Sequence, residues 1–152
     1  MTRGPFRIAA LASLIWNAFG LLDYMLTQIR NPGYIQSYPP AFMPWLDAFP
    51  YWVTASWGLG AGLSFVGSIL LLLRSRRAVL AFLASLAFAA ASIGFRHFSG
   101  EMPASLDTAE RLLFDLVLLA AIALQCWYAR RLALEPVLKG LRCRDRPGMF
   151  AE

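Results

Sequence analysis

The sequence predicts an all-α protein, a bundle of four transmembrane helices with the N-terminus and the C-terminus both in the cytoplasm. Three observations support this prediction: an apolar composition, separate apolar runs, and basic residues gathered in short blocks between the runs. Of the 152 residues, 59% are hydrophobic and 15% are charged, whereas a soluble domain has roughly 45–50% apolar and about 25% charged residues. The mean hydropathy of +0.54 agrees with a chain surrounded by lipid.

Each apolar run has the length that a bilayer requires. A helix needs about 20 mainly apolar residues to cross the hydrocarbon core, and the runs predict helices over about residues 8–29, 52–73, 78–95 and 112–131. No polar stretch is long enough for a separate domain, so we expect residues 1–152 to form a single integral membrane domain. The first run is longer than the core of a signal peptide and no A-x-A-like cleavage site follows it, so we expect it to be retained.

The basic residues predict the orientation of the bundle. With the N-terminus inside, eleven of the 14 lysine and arginine residues lie in inner segments, and the outer ones are Arg30, Arg96 and Arg111. Because short cytoplasmic segments carry an excess of Lys and Arg, we expect an outer aromatic and proline-rich loop over residues 30–51 and a basic cytoplasmic tail over 130–152. These topological blocks also explain the net charge of +5, and no nucleic-acid-recognition module is present, so we expect no nucleic-acid partner.

The first run contains polar residues that fall on one side of the predicted helix. At about 100° per residue, Asn17 and five other small or polar residues share an arc of about 120°, the others being Ser13, Gly20, Asp23, Tyr24 and Thr27. Leucine, isoleucine and alanine occupy the rest of the wheel and are free to meet lipid. The first helix is therefore expected to turn a polar stripe toward the interior of the bundle.

Charged residues at a similar predicted depth suggest partners for this stripe. Arg96 and His97 end the third run, and Asp115 begins the fourth. We therefore expect an outer-leaflet cluster of Asp23, Arg96, His97 and Asp115, with Asn17 and Tyr24 deeper. Ionisable groups within a membrane are energetically costly and are usually paired or functional. Three interpretations are open: an ion pair that ties helices together, a substrate or proton site, and an arginine that snorkels to the headgroups.

Small residues recur at helical spacing in the second and third runs. The second run contains Gly58-x-x-x-Gly62 and the series Gly60, Ser64, Ser68, and the third contains Ala81, Ser85 and Ala89. Small residues let membrane helices approach closely, and packing within the bundle is favoured over a specific dimer. We expect Ser105 to cap the fourth helix, with Asp107 in its first turn. The aromatic outer loop is interpreted either as a passive headgroup anchor or as a lid over an outward-facing cavity.

Signatures of catalytic and cofactor chemistry are missing from the sequence. His97 is the only histidine and has no neighbouring ligand set, while Cys126 and Cys143 lack a CxxC-type neighbour. No residue pattern provides an activated nucleophile, and no P-loop or Rossmann fingerprint is present. We therefore expect no enzymatic activity, no metal and no cofactor, although an intramembrane acid–base site made of Asp23 and His97 stays an alternative.

The first two runs carry the motifs "WNAFGLLDYMLTQ" and "FPYWVTASWGLGAGLSFVGSILLLLRSRRAV". They resemble a family of small four-helix bacterial membrane proteins with a W-N-x-x-G-x-x-D-Y first helix and a glycine-rich second helix that runs into a basic turn. The resemblance spans Trp16 to about Arg131, and its first pattern is matched by Trp16, Asn17, Gly20, Asp23 and Tyr24. Members are often labelled sugar transporters or left uncharacterised, so the resemblance implies a multi-pass protein of the bacterial inner membrane and modestly favours transport.

Two functions from different classes are left open by the sequence. The first is binding or transport of a small polar solute through a polar site in the outer half of the bundle. A transporter with only four helices and no clear internal repeat is expected to work as a homodimer. The second is a non-catalytic membrane subunit or scaffold of a larger complex, which the small-residue helix faces also suit. The lipid bilayer is the expected partner in both cases.

Overall fold

A computed structural model describes residues 3–99 and 102–134 of the chain. Four long helices and two short ones make up these residues, in the order α1 (Arg3–Gln28), α2 (Pro32–Ile35), α3 (Phe42–Asp47), α4 (Tyr51–Leu72), α5 (Arg77–Phe98) and α6 (Ala109–Leu134). The basic tail predicted over 130–152 lies outside the described residues from residue 135 onward, and so does Cys143.

The four long helices are long and apolar enough to cross a membrane. The all-α prediction is confirmed, and by helix length and composition the chain is a multi-pass membrane protein. The helix ends differ from the predicted ones by a few residues because polar residues continue the helices. In particular, α5 runs through Arg96 and His97 to Phe98, whereas the end of the apolar run predicted that this helix stops at residue 95.

The long helices pack in the order α1, α4, α5, α6, and the contact between α4 and α5 is the most extensive. The segment with α2 and α3 and the turn before α6 lie at one end of the bundle, called here the loop end. The short connection between α4 and α5 lies at the opposite end, called here the turn end. Within the described residues, no backbone contact of comparable extent joins α6 to α1, and side-chain hydrogen bonds connect these two helices.

The close approach of α4 and α5 depends on small residues. A Cβ atom placed on Gly60 would lie 3.2 Å from the backbone nitrogen of Ala89, so the two helix backbones almost touch at this level. The Ser85 hydroxyl donates a hydrogen bond of 2.7 Å to the Gly60 carbonyl. The expectation that small residues serve packing within the bundle is confirmed here, whereas a Cβ on Gly62 would meet no atom within 4 Å.

The turn end is closed by an apolar core. Its buried side chains come from α1, α4, α5 and α6, and they are Phe6, Ala10, Leu71, Ala78, Phe82, Ala129 and Leu132. Dispersion contacts between close-packed apolar groups hold membrane helices together. The bundle is therefore closely packed and apolar at the turn end, and the polar residues inside the bundle lie between this core and the loop end.

The connections that follow α1 and α4 use the same helix-ending motif. Arg30 and Arg74 have positive φ angles of 51° and 58°, and the next residue in each case donates its backbone N–H back across the last turn, Asn31 to Leu26 and Ser75 to Leu70. This is the Schellman arrangement. Asn31 then accepts a hydrogen bond from the Tyr34 backbone N–H and so caps α2, which turns the chain back over the bundle.

The expected start of α6 was wrong by one turn. Residues 103–107 form a separate turn, in which the backbone N–H groups of Leu106 and Asp107 both bond to the Pro103 carbonyl. The helix begins at Ala109, and the Thr108 hydroxyl accepts the Arg111 N–H at 3.3 Å in place of the predicted Ser105 cap. The turn forms because Leu106 is buried against an aromatic cluster of the loop end, which fixes this segment outside the helix.

Candidate functional site

Two adjoining cavities lie between the helices at the loop end. The deep cavity has a volume of about 380 Å³ and reaches down to Asn17 and Ile122. The shallow cavity has a volume of about 440 Å³ and lies nearer the loops, between Phe42, Ser105 and Arg111. Both cavities are lined by Asp23, Tyr38, Trp57, Arg96, Phe114 and Leu118. Each is of the size typical of small-molecule sites, about 300–1,000 Å³.

Asp23 lies on one wall of the cavities and is held by two tyrosines of the loop. The hydroxyls of Tyr34 and Tyr38 both donate to Asp23 Oδ1, the second over 3.2 Å, and the two hydroxyls are 3.1 Å apart. Burial and the hydrogen bond to Asp23 raise the pKa of the Tyr34 hydroxyl well above its ordinary value. Burial also raises the pKa of Tyr38, against the opposing effect of its hydrogen bond with Tyr34. Both hydroxyls therefore stay protonated and donate at neutral pH.

Arg96, His97 and Asp115 form a second cluster on the opposite wall. Arg96 Nη2 lies 3.5 Å from Asp115 Oδ1, and His97 Nε2 donates to Asp115 Oδ2 at 2.9 Å. The Asp115 side chain is 7% exposed and the Arg96 side chain 13% exposed. Because α5 and α6 supply opposite charges to a largely buried pair, this cluster joins the two helices. Arg96 lines both cavities and Asp115 lines the shallow one, whereas His97, predicted as a site residue, lines neither and reaches the site only through Asp115.

Asp23 and Arg96 face the same cavity without pairing with each other. They are the only charged side chains that line the deep cavity among the described residues, and neither the Asp23 carboxylate nor the guanidinium forms an ion pair across it. The Arg96 guanidinium lies 5.9 Å from the Trp57 ring centre, a cation–π distance. The cavity thus offers a hydrogen-bond acceptor, a cationic donor and an aromatic face within one space.

The floor of the deep cavity is a buried amide and hydroxyl network. The Asn17 side-chain amide donates to Gln125 Oε1 at 2.6 Å and to Ser68 Oγ at 2.7 Å. Ser13 donates to the same Gln125 oxygen at 3.1 Å, and Ser68 donates to the Ser64 carbonyl at 3.0 Å. The network joins α1, α4 and α6 directly above the apolar core of the turn end.

This network gives a double-mutant prediction. We expect Asn17→Leu and Gln125→Leu each to lower the free energy of unfolding by about 0.6–2 kcal/mol, the range measured for hydrogen bonds between membrane helices. The double variant is expected to lose less than the sum, since either single change already removes the hydrogen bond between the two amides. Unfolding in mixed detergent micelles with increasing dodecyl sulfate measures the three values. Strictly additive losses would show that the two side chains do not interact.

The predicted site residues separate into four groups in the structure. Arg96, His97 and Asp115 come together, while Asp23 lies across the cavity with its two tyrosines. Asn17 lies deeper, as expected. Tyr24 packs edge-on against Trp57 with ring centres 5.1 Å apart, and its ring occupies the space beside Gly58. Tyr24 thus contacts α4 and does not line either cavity.

Sequence reasoning missed Tyr34, Tyr38 and Gln125 as members of the site. Gln125 is an amide in an apolar run, which is the same signal that identified Asn17. The tyrosines had no such signal, because their position depends on the path of the outer loop. That loop carries its own buried cluster of Phe42, Trp45, Leu46 and Leu106, and the Arg111 guanidinium on α6 lies 4.9 Å from the Trp45 ring centre.

Comparison with protein-family models, with curated proteins and with solved structures returns no match. The resemblance drawn from the first two helices therefore rests on their motifs alone. Within residues 3–99 and 102–134, no group of three or more His, Cys, Asp or Glu side chains is placed to hold a metal ion. The chemistry of the site is that of hydrogen-bond donors, acceptors and aromatic rings.

Proposed function

We propose that this protein binds a small polar solute in the deep cavity and carries it across the membrane. The observation that supports the proposal is that Asp23 and Arg96 face each other across one cavity without forming an ion pair with each other. Asp23 and Arg96 are both partly buried, and because they face the same space without contacting each other they leave hydrogen-bonding capacity for a third molecule. With the loop end outside, as the distribution of basic residues predicts, the cavity faces the exterior.

The chemistry of the lining favours a neutral, hydroxyl-rich solute. A hydroxyl group both donates and accepts, so one such group bonds to the Asp23 carboxylate while another receives a donor from the Arg96 guanidinium. Trp57 and Tyr38 add aromatic faces at the same level, and apolar carbon–hydrogen faces of a sugar pack on such rings. This agrees with the sugar-transporter label of the family that the first helix resembles.

Transport requires the floor of the cavity to open. The Asn17–Gln125 network and the apolar core at the turn end together block the path in this conformation. Alternating access usually involves two structural units that move against each other around the site. We therefore propose a two-fold dimer as the transporting unit, in which each copy contributes one four-helix bundle.

The proposal predicts that Asp23→Asn strongly weakens solute binding without unfolding the protein. The asparagine side chain has nearly the same size as that of aspartate, and its amide oxygen still accepts hydrogen bonds from the two tyrosine hydroxyls, but it carries no charge. Hydrogen bonds to a charged group contribute roughly 1.5–3 kcal/mol, so the affinity is expected to fall about 10- to 100-fold. The measurement is binding and proteoliposome uptake of a panel of radiolabelled neutral hexoses and pentoses.

Asp47→Asn is the matched control, since Asp47 is an exposed loop acid that pairs with Arg30 at 2.7 Å. It is expected to bind and transport as the unchanged protein does, because exposed ion pairs contribute little. Binding that is equally strong in Asp23→Asn would contradict the proposal. Stoichiometric recovery with a larger membrane protein, together with no binding of any sugar in the panel, would instead support the subunit alternative.

A further inference from the structure

We infer that the solute carries a short apolar chain and that it reaches the deep cavity sideways from the membrane, between α1 and α6. This inference rests on the proposed function and specifies its substrate class as an amphiphile with a hydroxylated head. It follows from the shape of the cavity wall, from one glycine, and from the distribution of polar groups along the cavity.

The wall between α1 and α6 is formed by side chains that also face the outside of the bundle. Trp16 and Phe19 of α1 are 44% and 67% exposed, and Phe114 of α6 is 57% exposed, yet all three line the deep cavity. The helices on the other sides meet through close backbone contacts, whereas α1 and α6 are joined by the side-chain hydrogen bonds of Gln125 to Asn17 and Ser13 below this level. The cavity is therefore open to lipid on this side.

Gly20 widens the same opening. It lines the deep cavity, and a Cβ atom at this position would meet no atom within 4 Å. Glycine in a helix interior lowers helix stability relative to alanine. At Gly60 the close approach of Ala89 explains the glycine, whereas no neighbouring helix comes close enough to Gly20 to exclude a larger side chain. The free space beside Gly20 is thus available to a ligand, which can pack directly on the backbone of α1.

The charged groups and the tyrosine hydroxyls of the cavity are concentrated at its loop end, and the floor carries neutral polar groups such as Asn17 and Ser64. Asp23, Tyr34, Tyr38 and Arg96 lie toward the loop end, while the lateral opening is lined by aromatic and aliphatic side chains, namely Trp16, Phe19, Phe114, Leu118 and Ile122. A purely polar solute would leave this apolar surface without a partner. A molecule with a hydroxylated head and a short chain matches both parts at once.

The test compares three probes on the full-length protein in lipid nanodiscs: n-hexyl β-D-glucoside, D-glucose and 1-hexanol. Retention of each radiolabelled probe is corrected with protein-free nanodiscs. We expect the hexyl glucoside to bind at least about tenfold more tightly than either of the other two, because only it fills both parts of the cavity. Gly20→Leu, which places a side chain in the opening, is expected to remove this binding.

Gly94→Leu is the control for Gly20→Leu, since a Cβ on Gly94 also meets no atom within 4 Å but Gly94 lines neither cavity. Both variants are expected to have the melting temperature of the unchanged protein or higher, and only Gly94→Leu is expected to keep binding. Equal affinity for glucose and hexyl glucoside, lost in Asp23→Asn, would overturn the lateral route and leave the proposed function intact.

Two further outcomes are also decisive. Equal affinity for hexanol and hexyl glucoside that does not change in Asp23→Asn would overturn the proposed polar site and, with it, the amphiphilic substrate class. Binding of hexyl glucoside that is the same in Gly20→Leu and Gly94→Leu would show that the chain does not occupy the opening beside Gly20, and it would overturn the inference.

Discussion

Replacing Asp115 by alanine is expected to lower the free energy of unfolding by about 3–5 kcal/mol, the cost of leaving a buried charge without its partner. Asp115 is buried, and its carboxylate contacts both Arg96 and His97. Without it, the Arg96 guanidinium stays largely buried with no counter-charge in contact. Unfolding by dodecyl sulfate in mixed micelles, followed by circular dichroism, measures the loss.

A second variant distinguishes a lost ion pair from lost packing. In Asp115→Ala/Arg96→Met the uncompensated charge is removed as well, and we expect most of the stability to return, since apolar replacement of a buried pair is often neutral. Asp107→Ala, at an exposed position in the turn before α6, is the control and is expected to change stability little. If the double variant is as unstable as Asp115→Ala, the charge on Arg96 is not the cause of the loss.

Gly60→Leu is expected to be the most disruptive change within the helix interfaces. A Cβ atom alone would lie 3.2 Å from the Ala89 backbone nitrogen, so a leucine must force α4 and α5 apart. This separation also breaks the hydrogen bond from Ser85 to the Gly60 carbonyl. Overpacking typically lowers stability by about 1–3 kcal/mol, and because a rigid backbone faces this position we expect a loss of about 3 kcal/mol or more.

Gly62→Leu is the matched control, two residues further along the same helix. A Cβ on Gly62 meets no atom within 4 Å, so the leucine extends into free space and is expected to leave the melting temperature unchanged or to raise it. The comparison is a thermal unfolding measurement on both variants in the same detergent. A Gly60→Leu protein as stable as Gly62→Leu would contradict the close approach of α4 and α5.

The helices were predictable because lipid imposes a simple requirement. A segment that crosses the hydrocarbon core must be long, apolar and internally hydrogen-bonded. A single long apolar run of sequence is therefore enough to predict a helix. The ends were less predictable, since the buried pair with Asp115 allows Arg96 to continue α5 beyond its apolar run. In the same way, burial of Leu106 moves the start of α6 to Ala109.

The site was predictable from one helix only. The arrangement of Asn17, Gly20 and Asp23 on one side of α1 follows from helical periodicity, and all three line the deep cavity. The separation of Asp23 from Arg96 did not follow from the sequence, because similar depth in the membrane does not determine distance across a bundle. A single charged cluster was expected, and two clusters on opposite walls are present.

The outer loop contributes two site residues, Tyr34 and Tyr38, whose positions cannot be predicted from helical periodicity. Tyr34 and Tyr38 reach Asp23 because Arg30 adopts a left-handed conformation, Asn31 caps α2, and the aromatic cluster around Phe42 packs on the bundle. Of the two interpretations of this loop, the position over the cavities agrees with the lid interpretation. Whether the loop moves stays a prediction.

The sequence by itself determined that the chain is a membrane-embedded helical protein and which side of α1 faces inward, since both follow from local composition and from the 3.6-residue repeat of a helix. Only the tertiary structure decided which residues meet. Three features depend on how far apart two helices lie. They are the hydrogen bond between Asn17 and Gln125, the opening beside Gly20, and the separation of Asp23 from Arg96 across the deep cavity. Distances between helices are set by side-chain size at their contacts, as the contact of Gly60 with Ala89 shows for α4 and α5, and such contacts join residues far apart in the chain.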